Sequence, residues 1–449
     1  MRSHKSILLV GALFLVFAGT FGVYEYYHSE RPSRSSDSVK SKKKRDRLED
    51  SKIAKTENVE NEPSALFNDP AISQAWGLKK ADAGRAWAIT KGSKKIVVAV
   101  IDTGADIKHE DLDSNIWVNL GESGKDSKGR DKATNGIDDD GNGFVDDVHG
   151  WNFVSNNPIL TDNHGHGTHI ACIVGAKAGN AKGISGIAPE VSLMILKYYD
   201  PKVAGTDNLK NTIAAIKYAV KMGANIINYS GGGTEFSQDE HDAVKEAEKE
   251  GILFVAAAGN ERTNSDVNKY YPADYGLSNI ISVTAIDKQT EVLPSSNFGT
   301  ETVDIAAPGN NIISCLPGNT YGTMTGTSQA TAFVSGAGVL AMAKRDAYKA
   351  VDVKKYILAT GDAEQSLVGK SRNYRQLNLY KTLTILDQGT NLAGMKNENG
   401  MDYKFTTDPN MRTTNPANAA TDFAKSLRQT LDKASRLGTK QPSGAVPEE

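Results

Sequence analysis

Lys95 to Gly104, KIVVAVIDTG in one-letter code, is the stretch that decides the fold. Its unbroken apolar run from Ile96 to Ile101 is typical of a strand buried on both faces, as in a parallel sheet. Asp102 follows directly, at the carboxyl end of the predicted strand, where parallel sheets form their active sites. A carboxylate buried there needs a hydrogen-bond donor. Taken alone, however, a turn or helix-capping role is the simpler explanation of Asp102.

Strand-like and helix-like patterns alternate along the chain after this stretch. Apolar runs at residues 193–198, 224–229, 252–258 and 280–285 indicate further buried strands. Residues 208–222 and 237–250 have helical patterns, each closed by a glycine, as helix ends prefer. This alternation predicts an α/β fold of three layers, in which a mostly parallel central sheet is flanked by helices.

The overall composition is that of a soluble globular protein. The 449 residues are 39% hydrophobic and 24% charged, and the formal net charge of −2 gives no reason to expect a nucleic-acid partner. Cys172 and Cys315 are the only cysteines, which excludes a disulfide framework. Whether they pair cannot be read from the sequence, but their apolar settings favour two buried free thiols.

The first residues of the chain predict export. Basic residues precede an uncharged apolar stretch from Ile7 to Val23, so that residues 1–28 are either a signal peptide or a membrane anchor. A buried helix of the folded domain is a weaker alternative. In both favoured cases the rest of the chain lies outside the cytoplasm, in a periplasmic, secreted or membrane-anchored protein.

The remaining chain divides by composition into three parts. Residues 29–65 are so rich in charge that they predict a disordered linker. Residues 66–388 contain the strand and helix patterns and are expected to form one domain. Residues 389–449 are polar and are expected to be a disordered tail, with one amphipathic stretch from Phe423 to Leu437.

Three histidines stand close together in the run NHGHGTH at residues 163–169. His164, His166 and His169 resemble metal ligands, and a zinc hydrolase is one interpretation. Against zinc, the chain has no second His or Cys cluster and no HExxH spacing. The small residues beside His166 favour instead an imidazole that lies open to a substrate as a general base.

Two further polar residues stand at the ends of apolar segments. Ser328 lies in GTSQA, at the start of a small-residue run that predicts a buried helix, and the positive end of a helix dipole would lie beneath its oxygen. Asn260 ends AAAGN, where a buried strand breaks at a glycine. Considered by itself, Ser328 is explained as a helix N-cap, and Asn260 is explained as a turn residue.

Taken in order, DTG, HGTH, AAAGN and GTS-x-A resemble the motifs of the subtilisin-like serine proteases, especially the thermitase branch, over residues 67–381. The resemblance implies a serine endopeptidase that cleaves proteins or peptides through an acyl-enzyme intermediate and acts as a monomer. It assigns Asp102, His166 and Ser328 to the catalytic triad and Asn260 to the oxyanion site. The alternative is a catalytically silent binding or scaffold protein at the cell envelope. It is less favoured, because such relatives generally lose a triad member.

The resemblance also implies the substrate-binding residues. These are Ser230, Gly231 and Gly232, with Ala258 and Gly259 on the opposite wall of the P1 pocket. Relatives often have a larger residue at the position of Gly231, so this glycine is expected to open or loosen the pocket. Beside the serine, the family's usual Met, Pro and His are replaced by Gln329, Ala332 and Phe333.

Structural calcium is the implied cofactor. The resemblance places one site at Asp69 and Asp111, with Asn180 in the loop that completes it. The acidic loop at residues 138–147 is a second candidate, because its alternating oxygen ligands suit a hard cation. It lacks the last glutamate of an EF-hand, and a solvated acidic turn is the alternative. The expected ligands of this loop are Asp138, Asp140, Asn142 and Asp146.

Overall fold

The computed structural model describes residues 67–345 and 349–386. The helices are α1 Trp76–Lys80, α2 Ala83–Trp87, α3 His166–Gly175, α4 Asn208–Lys221, α5 Gln238–Lys249, α6 Thr327–Lys344, α7 Ala350–Thr360 and α8 Leu379–Leu386. The strands are β1 Gly92–Asp102, β2 Gly150–Asn152, β3 Glu190–Lys197, β4 Ile226–Tyr229, β5 Leu253–Ala257, β6 Ile280–Ile286, β7 Ile305–Pro308, β8 Ile312–Leu316, β9 Thr320–Met324, β10 Asp362–Ala363 and β11 Arg375–Gln376.

Nine of these strands form one sheet in the order β10-β11-β7-β6-β5-β4-β1-β3-β2. All its neighbouring pairs are parallel except β10 with β11. Strand β1 lies between β3 and β4, and β5 follows β4. The carboxyl ends of β1, β4 and β5 therefore meet at one edge of the sheet. The predicted α/β fold is confirmed.

The sheet separates two hydrophobic cores. Side chains alternate across a strand, and in β1 Val98 and Val100 join the core that contains residues of α3 and α6, whereas Ala99 and Ile101 join the core that contains residues of α4 and α5. All four are fully buried. The continuous apolar run of β1 is explained by this double burial.

Helix α6 lies buried against the sheet. Its residues from Thr327 to Met342 are all buried. A Cβ added to Gly336 would lie 2.4 Å from the Ile187 side chain, and one added to Gly338 would lie 2.9 Å from Ile226. The small-residue run is therefore a requirement of close packing, and the predicted buried helix is confirmed.

The two cysteines form a disulfide, so the expectation of two free thiols is wrong. Cys172 lies in α3 and Cys315 in β8, their Cα atoms are 5.8 Å apart, and both are fully buried. Their apolar settings indicate burial correctly but say nothing about proximity, since 143 positions separate them in the chain. In the chain-entropy description, closing so long a loop contributes about 5 kcal/mol.

The predictions for residues 1–28, for the linker and for the tail concern residues outside the described ranges. Among the described helices, none combines the length and the apolar character needed to span a bilayer.

Candidate active site

Asp102 and His166 are joined by a hydrogen bond of 2.7 Å between Asp102 Oδ1 and His166 Nδ1. Asp102 is the last residue of β1 and is 3% exposed, whereas the His166 side chain, at the first position of α3, is 22% exposed. The imidazole is thus anchored on its buried side. Its other nitrogen, Nε2, remains available for chemistry.

Glycine after the histidine allows α3 to begin against the end of β1. A Cβ on Gly167 would lie 2.0 Å from the Gly104 carbonyl oxygen and 3.1 Å from the Asp102 Cβ. The Gly167 N–H also donates to Thr103 Oγ1 at 2.9 Å. Thr103 and Gly104 of the DTG motif therefore pack against Gly167 of the HGTH motif, where β1 ends and α3 begins.

A second carboxylate, that of Asp162, holds this junction together and was not singled out in the sequence. Its Oδ1 accepts hydrogen bonds from Thr103 Oγ1 at 2.9 Å and from the Gly165 N–H at 2.7 Å. Its Oδ2 accepts from the N–H and hydroxyl of Thr168, at 2.9 and 2.7 Å. An aspartate shortly before a helix start is the available signal, since such residues satisfy free N–H groups.

The charge on His166 is set by its carboxylate neighbours. Burial disfavours the charged ring, but the charge and hydrogen bond of Asp102, together with the charge of Asp162, raise the pKa of His166 above its usual value. The site thus stabilises an imidazolium, the species formed when this ring accepts a proton.

Ser328 lies in the first turn of α6 and is 7% exposed. Its Oγ donates to the Ser230 carbonyl oxygen at 3.2 Å, and Ser230 Oγ donates to the Ser328 carbonyl oxygen at 3.4 Å. Within the described part of the chain, no hydrogen bond joins Ser328 Oγ to His166. The serine is therefore tied to the residue that follows β4, while the histidine is tied to β1.

Asn260 is held by the residue that precedes Ser328. Asn260 Oδ1 accepts hydrogen bonds from the Thr327 N–H at 3.1 Å and from Thr327 Oγ1 at 3.3 Å. Because the amide oxygen is engaged, the exposed side chain presents its NH₂ group as the free donor beside the start of α6. The sequence does not reveal this contact of Thr327, since a Thr before Ser is unremarkable.

The residues expected to bind substrate lie on two adjacent strand ends. Ser230 to Gly232 follow β4, Ala258 and Gly259 follow β5, and the two strands pair. A Cβ on Gly231 would lie 2.5 Å from the Tyr198 hydroxyl oxygen and 2.9 Å from Tyr229. The space left by a missing side chain at position 231 is therefore occupied by two tyrosines.

Gln329, Ala332 and Phe333 all point into the protein, with exposures of 2% or less. A Cβ on Gly77 would lie 2.5 Å from Phe333 Cζ, which places this ring against α1. The three residues that replace the family's usual Met, Pro and His thus pack α6 against the rest of the protein.

His164, His166 and His169 do not converge on a common point. His164 is exposed, and buried His169 contacts the Ile312 carbonyl oxygen through Nε2 at 3.0 Å. Burial lowers the pKa of His169 to about 4, which keeps this ring neutral. Among the described residues, the groups whose metal-ligating atoms come together do not include these three. The geometry gives no support to a zinc centre built from them.

The first expected calcium site brings two buried carboxylates to one loop. Asp69 accepts from the Gly179 N–H at 2.9 Å and from the Asn180 N–H at 3.1 Å. Asp111 accepts from Asn180 Nδ2 at 2.7 Å and from the Tyr321 hydroxyl at 3.0 Å. These donors are neutral, and within residues 67–345 and 349–386 no cationic side chain is hydrogen-bonded to either carboxylate.

The acidic loop gathers around a residue that was not predicted, Glu122. Glu122, Asp138 and Asp140 each bring a carboxylate oxygen within 4.8 Å of the others. Glu122 is fully buried, its Oε2 has no hydrogen-bond partner among the described residues, and burial raises its pKa. Oε1 accepts from the N–H groups of Asp139 and Asp140 at 2.6 and 3.2 Å. The sequence does not reveal Glu122, because it precedes Asp138 by 16 positions and lies outside the acidic run.

Two expected ligands of that loop have other partners. Asn142 directs its NH₂ group at Asp140 Oδ2 (3.2 Å) and Asp147 Oδ2 (2.9 Å), and its oxygen accepts from the Phe144 N–H at 2.7 Å. Asp146 accepts from the Gly136 N–H at 3.1 Å and lies outside the converging group.

Most of the chain is similar in sequence to known proteins. Residues 93–402 match the family described as Subtilase family. A thermophilic serine proteinase from Bacillus sp. (strain AK1) is 31% identical over 353 residues, which are 74% of this chain and 78% of that protein. Thermitase from Thermoactinomyces vulgaris is 36% identical over 282 residues, 62% of this chain and 87% of thermitase. The major intracellular serine protease of Bacillus subtilis (strain 168) is 38% identical over 263 residues, 58% of this chain and 72% of that protein.

Proposed function

The chain belongs to the subtilase family, and from this premise we propose that Asp102, His166 and Ser328 are its catalytic triad. It is a subtilisin-like serine endopeptidase, a hydrolase of peptide bonds, and its resemblance to the thermitase type is confirmed. The 2.7 Å hydrogen bond between Asp102 and His166, on the sheet edge at which α6 begins, is the observation that carries the proposal.

In the proposed mechanism Ser328 Oγ attacks the carbonyl carbon of the scissile bond. His166 Nε2 accepts the hydroxyl proton and later gives it to the leaving amine, which leaves an acyl-enzyme that water hydrolyses by the reverse proton path. Asp102 holds the imidazole in the required tautomer and stabilises the imidazolium. This role agrees with the raised pKa of His166.

Asn260 is the proposed donor to the oxyanion that forms during attack. Its NH₂ group and the Ser328 N–H both lie at the start of α6, where a helix leaves N–H groups without an intrahelical acceptor. The bonds from Thr327 to Asn260 Oδ1 support this role, because they fix which end of the amide faces the substrate.

Labelling with a serine-directed phosphonate tests the nucleophile. We expect the full chain to be labelled once and Ser328→Ala not at all. Ser192→Ala is the matched control, because Ser192 lies near the start of β3, at the opposite end of the sheet, and donates to the Lys94 carbonyl oxygen at 2.7 Å. No labelling of correctly folded wild-type protein would contradict the triad and favour a silent scaffold.

Structural calcium is the proposed cofactor at both carboxylate clusters. The oxygen donors fit a hard cation, and the partnerless Glu122 Oε2 is a buried carboxylate oxygen that a cation would satisfy. Asp69 and Asp111, with the loop of Asn180, would hold one ion, and Glu122, Asp138 and Asp140 another. Calcium supplies positive charge that neutralises these carboxylates, which stabilises the loops without entering the reaction.

Thermal unfolding with and without calcium tests this cofactor. We expect a chelator to lower Tm before activity at low temperature is lost, and Glu122→Gln to reduce the part of the calcium effect that the acidic loop contributes. Exposed Glu235→Gln is the control. Metal analysis that finds stoichiometric zinc and no calcium would contradict the proposal.

The proposed location of the protein is outside the cytoplasm, with residues 1–28 as a signal peptide or membrane anchor. We propose that it acts there as a monomer on protein substrates. Cell fractionation with N-terminal sequencing distinguishes the two fates of this segment. Recovery of uncleaved protein in the cytoplasm alone would contradict export.

A further inference from the structure

One aromatic ring, that of Tyr270, lies between the two strand ends that are expected to bind the P1 side chain. A Cβ built on Gly232 would be 2.5 Å from Tyr270 Cε1, and one built on Gly259 would be 3.0 Å from Tyr270 Cδ2. These two carbons lie across the ring from each other. The ring therefore spans the gap from the wall after β4 to the wall after β5.

The backbone around Tyr270 holds the ring in this place. Its N–H donates to Asp274 Oδ2 at 2.8 Å, and the Asp274 N–H donates back to the Tyr270 carbonyl oxygen at 3.0 Å. The next residue, Tyr271, exchanges two hydrogen bonds with Gly233, at 2.7 and 2.9 Å. Tyr270 is only 9% exposed, so little of it reaches solvent.

The space beside Gly231 is filled as well. Tyr198 and Tyr229 pack edge to face with ring centroids 5.5 Å apart, and both approach the position that a side chain on Gly231 would take. If a P1 side chain is directed between the walls at Gly232 and Gly259, Tyr270 is the ring that lies in its way, and Tyr198 and Tyr229 fill the adjacent space. A long side chain would then have to displace a buried ring, whereas a short one would not.

We propose that Tyr270 is a specificity-determining residue that closes the bottom of the P1 pocket and restricts this endopeptidase to small P1 residues such as alanine and serine. The inference rests on the proposed function, since it takes the walls at Gly232 and Gly259 as the P1 pocket. Large aromatic P1 residues are excluded by volume, because moving a packed ring costs more than the new contact returns.

Cleavage of paired peptides that differ only in P1 alanine or phenylalanine tests this inference in the full chain with calcium. We expect wild-type kcat/KM to favour alanine by about 100-fold, within the range by which a pocket discriminates side-chain size. Tyr270→Ala is expected to raise kcat/KM for the phenylalanine peptide by at least about 10-fold. Tyr270→Phe keeps the ring and is expected to keep the wild-type preference.

Phe236→Ala is the matched control, because this ring is 54% exposed and packs on the outer side of the same segment, against Tyr271. Its P1 preference should equal that of the wild type. A wild-type preference for phenylalanine would overturn the inference while leaving the proposed function intact, and this result does not depend on whether Tyr270→Ala folds. Absence of any cleavage would overturn the proposed function instead, and the inference with it.

Discussion

The two halves of the candidate site differ in how they are held. Asp102 and His166 are joined by a 2.7 Å bond at a junction that Asp162 ties together, whereas Ser328 Oγ is bonded to the Ser230 carbonyl oxygen at 3.2 Å. The proposed acid–base half is preassembled, and the proposed nucleophile is anchored to the strand end that is expected to bind substrate. We infer that a hydrogen bond between His166 and Ser328 forms when a peptide occupies that edge, because catalytic hydrogen bonds are often completed only when substrate binds.

The largest effect is expected when His166 or Ser328, one from each half, is replaced. We expect Ser328→Ala and His166→Ala each to lower kcat by about 10⁶, and the double variant to lose no more than either single one, since the two groups act as a unit. Single-turnover kinetics on one peptide measures these losses. Additive losses would mean that the halves work independently. Ser192→Ala should retain wild-type kcat.

Asp102→Asn breaks only the preassembled half. We expect kcat to fall by about 10⁴, because the amide favours the wrong tautomer of His166. In the wild type, activity falls as pH drops through the raised pKa of His166, since the protonated ring cannot accept a proton. Without the Asp102 charge this pKa falls, so the acid limb of kcat/KM moves to lower pH.

His164→Gln is the control for that pH profile, because His164 is exposed and its ring centroid lies 6.1 Å from that of His166. Its acid limb should stay where the wild type has it. An acid limb that does not move in Asp102→Asn would show that another group controls the profile.

Asn260→Ala tests the other half without touching the nucleophile. We expect kcat to fall by about 10²–10³ with KM nearly unchanged, because the lost hydrogen bond forms only as the oxyanion develops. Asn264→Ala, in the same segment, is the control. A rise in KM alone would assign Asn260 to substrate binding.

Thr327→Val has the smallest expected effect. It removes the hydroxyl that donates to Asn260 Oδ1 at 3.3 Å and leaves the N–H that donates at 3.1 Å. Loss of one hydrogen bond predicts a decrease in kcat of about two- to tenfold. Thr327→Ser should restore the wild-type value. The effect should vanish in the Asn260→Ala background if Thr327 acts through Asn260.

Local patterns explain why so much of the fold was predictable. The predicted strand at residues 252–258 is β5, Leu253–Ala257, and the predicted helix at residues 208–222 is α4, Asn208–Lys221. Apolar runs and helix-ending glycines are properties of neighbouring residues, so they can be read along the chain. The order of the short motifs likewise identified the family, which the comparisons confirm.

Contacts between distant segments were not predictable in this way. The bond between Cys172 and Cys315, the approach of Glu122 to Asp138 and the ring of Tyr270 between Gly232 and Gly259 all join residues from separate elements. Each of these residues has an ordinary local setting. Their meaning depends on which elements the sheet order and the packing of α3 and α6 bring together.

Residue patterns alone thus predicted an α/β fold, the family and the side chains that we propose for peptide hydrolysis. Folding in three dimensions determined the hydrogen bond between Asp102 and His166, the anchoring of Ser328 to Ser230 and the place of the Tyr270 ring between Gly232 and Gly259. The physical reason is that periodicity and chemical type are local properties of a chain. Distances between side chains arise only when the strand ends meet and close packing excludes every other arrangement.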